Sequence, residues 1–431
     1  MRRLDTKLGN FEAVLETLLQ RSDTVDLVVR GVVEQIIADV RNRGDVALLE
    51  YTARFDHFEV FDSSSLEISP IVREKAFRDL PLNFRQSLEK AAGRVRSFHE
   101  RQKASSWEYD DGLGNRLGQR ITPLERVGIY VPGGKAAYPS SVLMSAIPAR
   151  IAGVSEIIMV VPTPGGRPNE TVLAASHLVG VDRVFQIGGA QAVAALAIGT
   201  ESIPRVDKIV GPGNAYVTAA KQALFGEVGI DMIAGPSEVV IIADGGAKPN
   251  WLAMDLCAQA EHDENAQSIL LSPDRGLIDQ VEVEIKQLLP EMGRRKIIES
   301  SLAKYGALVT VESFEQAVLL SNQIAPEHLQ LMVEDPDLLI DKISHAGAIF
   351  CGYWSAEVLG DYCAGPNHIL PTSRTARFSS PLGVYDFQKK TSLIRCSEKG
   401  AEELSGIASA LAEYEGLFAH AFSAAYRGRQ E

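Results

Sequence analysis

The sequence predicts an α/β protein with two lobes. From about residue 125, short apolar strands alternate with helical patterns, which implies a parallel sheet with helices on its faces. The alternation comes as two series, broken between residues 224 and 238. At 431 residues and 45% hydrophobic content, the chain is too long for one simple domain and suits two or three units.

Taken in order, residues 11–55 read as helices. Val29, Val33, Ile36 and Val40 form one apolar stripe, and Gly44 stands where a helix commonly ends. Residues 84–103 give a second amphipathic pattern through Leu88, Ala91, Val95 and Phe98, and His99 belongs to it structurally. In the first α/β series, strands are expected at 127–131, 156–161, 183–187 and 208–210, with helices at 140–152, 168–179, 190–198 and 213–224. The second series has strands near 238–243, 268–272, 307–311, 329–333 and 347–351. Its helices fall near 250–262, 274–288, 313–323 and 335–345, the first opened by Pro249 and Asn250. Residues 371–381 read as a linker or exposed loop. Beyond residue 399 the pattern is helical again, interrupted at Gly416, with an apolar stripe of Ile407, Leu411 and Phe418.

A formal net charge of −13 argues against nucleic acid or an acidic membrane as the main partner. Four cysteines form no CxxC pair, so neither a disulfide framework nor a thiolate zinc site is indicated. No run of about 18 apolar residues exists. The opening Met1-Arg-Arg-Leu-Asp5 lacks an apolar signal segment, so a cytoplasmic location is expected.

Several stretches could carry chemistry. In Asp255-Leu-Cys-Ala-Gln259-Ala-Glu-His262-Asp263, Gln259 and His262 are three apart and share one helix face, so they can hold two corners of a metal site. Alone, that spacing more ordinarily marks an exposed helix end. Ala325-Pro-Glu327-His328-Leu sets a carboxylate beside an imidazole at a strand's first residues, offering two general bases, though a structural pair would look the same. Gly360-Asp361-Tyr-Cys-Ala-Gly-Pro-Asn-His368 is a turn-rich loop with one hard oxygen ligand and one imidazole. Glu415-Gly-Leu-Phe-Ala-His420 would diverge on one straight helix, but Gly416 can break it. Gln259, His262, Asp361 and His420 would make a mixed N/O set without thiolate, acceptable to zinc. In the first lobe, glycine-rich turns follow strands at Tyr130–Gly134, Gly188–Gln191 and Gly211–Asn214. Together they favour a nucleotide cleft, although no GxGxxG is present.

Together these stretches resemble the histidinol dehydrogenase family nearly end to end. The strings that carry the likeness are GGAQAVAALAIGTESIPRVDKIVGPGN, AGPSEVVIIAD, LCAQAEHD, APEHL, GDYCAGPNHILPT and EGLFAH. The resemblance implies two incomplete Rossmann-like, aldehyde-dehydrogenase-like lobes with helical terminal arms in a homodimer whose active sites are shared. It implies an N-terminal arm over 1–24, a catalytic lobe over 25–129 and 237–381, a dinucleotide lobe over 130–236 and a C-terminal arm over 382–431. The implied reaction is the four-electron oxidation of L-histidinol to L-histidine with two NAD. One zinc per site would be held by Gln259, His262, Asp361 and His420. Glu327 and His328 match the catalytic bases, His328 taking the alcohol proton and Glu327 activating water on the aldehyde. Tyr130, Gln191 and Asn214 match dinucleotide contacts. Ser237, His368 and Glu415 match substrate contacts, joined there by the zinc set and His328.

Three rivals remain. A paralogue could oxidise another amino alcohol, although Glu415 and His368 suit an imidazole. An aldehyde-dehydrogenase-like thiol mechanism would need Cys257 or Cys363, neither of which has a neighbouring base in sequence. A metal-stabilised protein without catalysis would leave NAD unreduced.

Overall fold

Two parallel sheets of the same winding organise the chain. The computed structural model describes residues 1–19, 27–133 and 138–428. Among these, the strands in chain order are β1 (Arg2–Asp5), β2 (Trp107–Asp110), β3 (Arg116–Pro123), β4 (Arg126–Tyr130), β5 (Glu156–Val160), β6 (Arg183–Phe185), β7 (Lys208–Val210), β8 (Gly229–Ile230), β9 (Glu238–Ala243), β10 (Gln267–Ser272), β11 (Ala307–Thr310), β12 (His328–Met332), β13 (Ala348–Cys351) and β14 (Gln388–Arg395). One sheet has the order β6-β5-β4-β7-β8 and the other β1-β11-β10-β9-β12-β13. Every pairing in both is parallel. All residues of β9 and β10 are buried, as expected of strands covered on both faces, which is why their middles, Val239–Ile242 and Ile269–Leu271, read as apolar runs. Apart from β1, added at the edge beside β11, the first strand of each sheet lies centrally, two successors build to one side, and the next two build to the other. A topological switch point therefore falls between β4 and β7, and another between β9 and β12.

The strands and helices expected from periodicity form within a few residues. The exceptions have local causes. The helix expected at 250–262 begins with Pro249 at its first turn and ends at Ala260, so Asn250 is inside it rather than capping it. The helix expected at 335–345 shrinks to Asp337–Ile340, and the 371–381 stretch holds only the short helical turn Thr375–Arg377. The third sheet, β14-β3-β2, is antiparallel and was not foreseen.

The hydrophobic cores divide the chain differently from the sequence boundaries. Val33, Ile36, Val40 and Leu48 share a core with Ile158, Phe185 and Leu196. Leu88, Ala92 and Val95 share one with Val127, Ile147 and Met159. Residues 27–99 thus pack mainly on the five-stranded sheet, because that sheet's apolar faces receive their stripes, while the Leu82–His99 helix also meets residues 363–369. The boundary at 129/130 would also cut β4. Nor are residues 1–19 a free arm: β1 pairs with β11, and Phe11, Leu15 and Leu18 enter the core of the six-stranded sheet. Residues 20–24 of that expected arm lie outside the described ones.

The C-terminal segment departs more fully. After β14 pairs with β3 along eight residues, the helices Glu398–Tyr414 and Phe418–Ala425 pack on each other, with Gly416 at φ 74° between them. Their apolar residues Ile407, Leu411, Phe418 and Phe422 remain exposed in the single chain.

Candidate active site

The helix Phe314–Ile324 stops at Ala325 in the left-handed conformation, and Pro326 prevents its resumption. The chain then enters β12 with Glu327 and His328, both buried. Their position is the N-terminal edge of the six-stranded sheet, beside Glu238, the first residue of β9. The Glu238 amide donates to Glu327 Oε2 at 2.9 Å, and the Glu238 carbonyl oxygen lies 3.1 Å from His328 Nδ1. That carbonyl can only accept, so Nδ1 carries the hydrogen and Nε2 is the working nitrogen.

One short helix, Glu357–Tyr362, then sets two carboxylates around this imidazole. Glu357 and Asp361 are four apart and share a face. Glu357 Oε1 is 3.6 Å from Nδ1, Asp361 Oδ1 is 3.5 Å from Nε2, and Glu327 Oε2 is 3.7 Å from Nδ1. His262 joins on the other side: ligand atoms of His262, Glu357 and Asp361 all lie within 4.8 Å of one another. Gln259, in the last turn of the Pro249–Ala260 helix, is fully buried, and neither side-chain amide atom has a hydrogen-bond partner among the described residues. A buried amide left without a partner is costly. An imidazole and carboxylates gathered in this way fit a zinc ion, and the unpartnered Gln259 carbonyl oxygen is a ligand type that zinc accepts.

Burial and charge compete strongly here. Burial pushes the Glu327 carboxyl up to about 7, opposed by the neighbouring imidazole. It pushes Glu357 up to about 8. Burial alone would lower His328, but Glu357, Glu327 and Asp361 overcome it and hold the imidazole well above the usual histidine range. Burial works to raise Asp361 too, yet the hydrogen bond and charge of His328, with His368 and His262, leave it below the usual carboxylate range. Burial lowers His368, and desolvation by the groups packed round its ring lowers His262 although that residue is exposed. It also pushes the Cys257 thiol up to about 11, which makes a thiolate nucleophile unfavourable there.

His368 links the lobes. Its Nδ1 lies 2.7 Å from the Asp361 backbone oxygen, and its Nε2 lies 3.3 Å from Ser141 Oγ, in the first turn of the Pro139–Ala152 helix that follows β4. Ser237 is half-buried directly before β9. The glycine-rich turns sit at the C-terminal edge of the five-stranded sheet, around its switch point. Tyr130 ends β4 and accepts the Gly189 amide on its hydroxyl at 3.0 Å. Gln191 is buried in the helix that follows, its Oε1 without a partner among the described residues. Asn214 caps the Ala215–Leu224 helix through Tyr216 and Val217 amides, so its carbonyl oxygen has a structural task. Gly134, the last residue of the first turn, lies outside the described residues. Glu415 and His420 are exposed in the C-terminal segment, and His420 is not among the groups gathered round His262.

Sequence reasoning missed Glu357, Asp255 and Gln330. Asp255 is pushed up to about 6 by burial and accepts from Gln330 Nε2 at 3.2 Å. The spacing of Glu357 and Asp361 was the available signal, since it places two carboxylates one turn apart.

Comparisons with known proteins identify the family. The family model described as histidinol dehydrogenase matches residues 19–428. The chain belongs to the histidinol dehydrogenase family. It is 59% identical over 427 residues to a histidinol dehydrogenase of Aromatoleum aromaticum, covering 99% of this chain and 98% of that one. A histidinol dehydrogenase of Cupriavidus pinatubonensis is 60% identical over 431 residues, with 99% and 97% covered. The crystal structure of histidinol dehydrogenase from Elizabethkingia anophelis matches with a TM-score of 0.93 at 35% identity, covering 99% and 98% of the two chains. As a histidinol dehydrogenase family member at this identity and coverage, the chain is an oxidoreductase. Among the described residues, no helix is long and apolar enough to cross a membrane.

Proposed function

We propose that the chain oxidises L-histidinol to L-histidine through histidinal, the last two steps of histidine biosynthesis, as a cytoplasmic enzyme. The observation that carries this reading is the gathering of His262, Glu357 and Asp361 beside the Glu327–His328 pair, with a buried Gln259 amide lacking a partner among the described residues three positions before His262. Zinc held by Gln259, His262, Asp361 and His420 would supply a template and charge anchor for the substrate. NAD, held at the turns that carry Tyr130, Gln191 and Asn214, would supply the hydride acceptor for each oxidation.

The protein's own groups divide the proton work. His328 Nε2, once it has released the proton that the surrounding carboxylates favour on it, takes the alcohol proton in the first oxidation. Its Nδ1, fixed by the Glu238 carbonyl, holds the tautomer. Glu327 takes a proton from the water that adds to the aldehyde. Its Oε2 is oriented by the Glu238 amide, so one residue of β9 aims both bases. Ser237, His368 and Glu415 contact the substrate. The direct test is absorbance at 340 nm with histidinol and NAD, then with histidinal and NAD. Absence of NADH in both would reject the reading in favour of a non-catalytic metal protein. Reduction by other amino alcohols but not by histidinol would point to the paralogue.

The exposed stripe of Ile407, Leu411 and Phe418 and the exposed His420 support a homodimer in which each site takes its fourth zinc ligand from the other chain. Helices this short do not hold an exposed apolar stripe in water without tertiary packing. Mixing inactive His262→Asn and His420→Asn chains tests this. In a mixed dimer one site collects both lesions and the other is intact, so activity should return. Demonstrated heterodimers without recovery would reject shared sites.

A further inference from the structure

A buried ion pair lies behind the Gly211–Asn214 turn and belongs to no catalytic group described above. Lys221, in the Ala215–Leu224 helix, and Asp231, directly after β8, pair through Nζ and Oδ1. Their side chains are only 3% and 1% exposed. Lys221 Nζ also donates to the Gly211 carbonyl oxygen at 3.0 Å, and Asp231 Oδ2 accepts the Gly211 amide at 2.7 Å. Asp231 Oδ1 further accepts the Met232 amide at 2.7 Å. Both polar groups of the Gly211 backbone are therefore held by one ion pair.

The turn needs such a hold. β7 ends at Val210, so Gly211 has left the ladder, and its amide and carbonyl require other partners. Its φ of 108° suits glycine, and a Cβ there would run into the Tyr130 carbonyl oxygen. Lys221 stands seven residues, two helical turns, after Asn214, which caps the same helix. The start of the turn is thus fixed by the ion pair and its end by the cap. A buried charge pair is seldom a gain over apolar side chains of like size, whereas its geometry can fix one arrangement.

We propose that Lys221 and Asp231 are positioning residues for the dinucleotide: they hold the Gly211–Asn214 turn in its binding shape before the cofactor arrives. This rests on the reading that NAD is the oxidant at these turns. In the unmodified enzyme, hydrogen exchange across residues 208–217 should be slow without NAD and change little when NAD is added. A turn that exchanges freely and becomes protected only with NAD overturns the proposal, whatever variants do. Removing one partner strands the other charge, so the paired Lys221→Met, Asp231→Asn variant is the kinetic test. Its KM for NAD should rise about tenfold. KM for histidinol and kcat at saturating NAD should remain near the parent values. Lys221→Arg, which keeps the charge, should recover part of the NAD affinity. An unchanged KM for NAD, or an equal decline in all parameters, rejects a positioning role. If instead the parent enzyme itself fails to reduce NAD, the fault lies with the NAD reading and not with the clamp.

Discussion

The two parallel sheets share one winding but present opposite edges to the candidate site. In the five-stranded sheet the glycine-rich turns gather at the C-terminal strand ends, around the switch point between β4 and β7, where doubly wound sheets usually bind ligands. In the six-stranded sheet the equivalent crevice, between β9 and β12, is bridged by Asp244. Its Oδ1 accepts the Gly246 amide at 2.9 Å and the Tyr353 hydroxyl at 2.7 Å, and its Oδ2 accepts the Glu334 amide at 2.8 Å. The chemistry-bearing groups occupy the other end of the same two strands, at Glu238 and at Glu327–His328. The first lobe offers backbone in glycine turns, whereas the second offers buried charge. The same order of strands can therefore serve recognition at one edge and proton transfer at the other.

The largest effect expected is on the second lobe's edge. Chelation should abolish turnover and zinc should restore it, and His262→Asn should lower the metal content measured by elemental analysis. Full turnover of metal-free enzyme would remove zinc from the reaction. Loss of a base should come next, at about 10²–10⁴-fold. His328→Asn should slow the first oxidation, and Glu327→Gln mainly the oxidation of histidinal, with NAD affinity unchanged in both.

The pH dependence follows from the same burial. Glu327 must be ionised to take a proton, and burial has moved its carboxyl up to about 7. Histidinal oxidation should therefore rise as pH increases through about 7, and Glu327→Gln should remove that limb. The stability sign is opposite. Between the unfolded carboxylate value and about 7, the folded state binds more protons at Glu327, so this group's contribution falls as pH rises through that window. A histidinal rate that is flat from pH 5 to 9 would reject Glu327 as the base.

Assayed above pH 8, where the buried Glu357 carboxyl is ionised, Glu357→Gln should lower kcat about tenfold, equivalent to about 1.4 kcal/mol, by removing a charge beside His328 while keeping the shape. Zinc content should be unchanged, and a loss of zinc would make Glu357 a ligand instead. At the other edge, Tyr130→Phe removes the acceptor for the Gly189 amide. A hydrogen bond of about 0.5–1.5 kcal/mol is lost, so KM for NAD should rise by roughly 2–10-fold with kcat nearly unaffected.

How much of this was legible depends on what each element buries. β9 and β10 read clearly because every residue is apolar or enclosed. All of β2 is exposed and β14 nearly so, held by backbone pairing and by the ion pairs of Glu108 with Arg116 and Arg395, so no apolar period announced the antiparallel sheet. The stripe of Val33, Ile36 and Val40 was read correctly as one helix face, but a stripe does not say which sheet will receive it. At the site, Glu327, His328, Gln259, His262 and Asp361 came from contiguous strings. Glu357 did not, because its meaning arises only when a short helix folds against β12. His420 and Glu415 were legible as residues, but in the single chain both are exposed, and His420 is not among the groups gathered round His262.

The smallest effect on activity should come from the closed crevice, and this is the sharpest test of the comparison. Asp244 satisfies three donors across the ends of β9 and β12, and the Tyr353 phenol beside it is pushed up to about 12, chiefly by burial and then by Asp244. If the crevice is only structural, Asp244→Ala strands these donors and lowers stability by about 1–3 kcal/mol. The melting temperature should fall on the order of 2–4 °C per kcal/mol. KM for NAD, KM for histidinol and kcat, measured well below the melting range, should all stay near the parent values, because the working edge lies at the opposite end of both strands. Asp244→Asn, which keeps the acceptor oxygen toward one side, should lose less stability than the alanine variant. A specific rise in either KM with little loss of stability would show that the crevice takes part in binding, and the division of labour between the two edges would not hold.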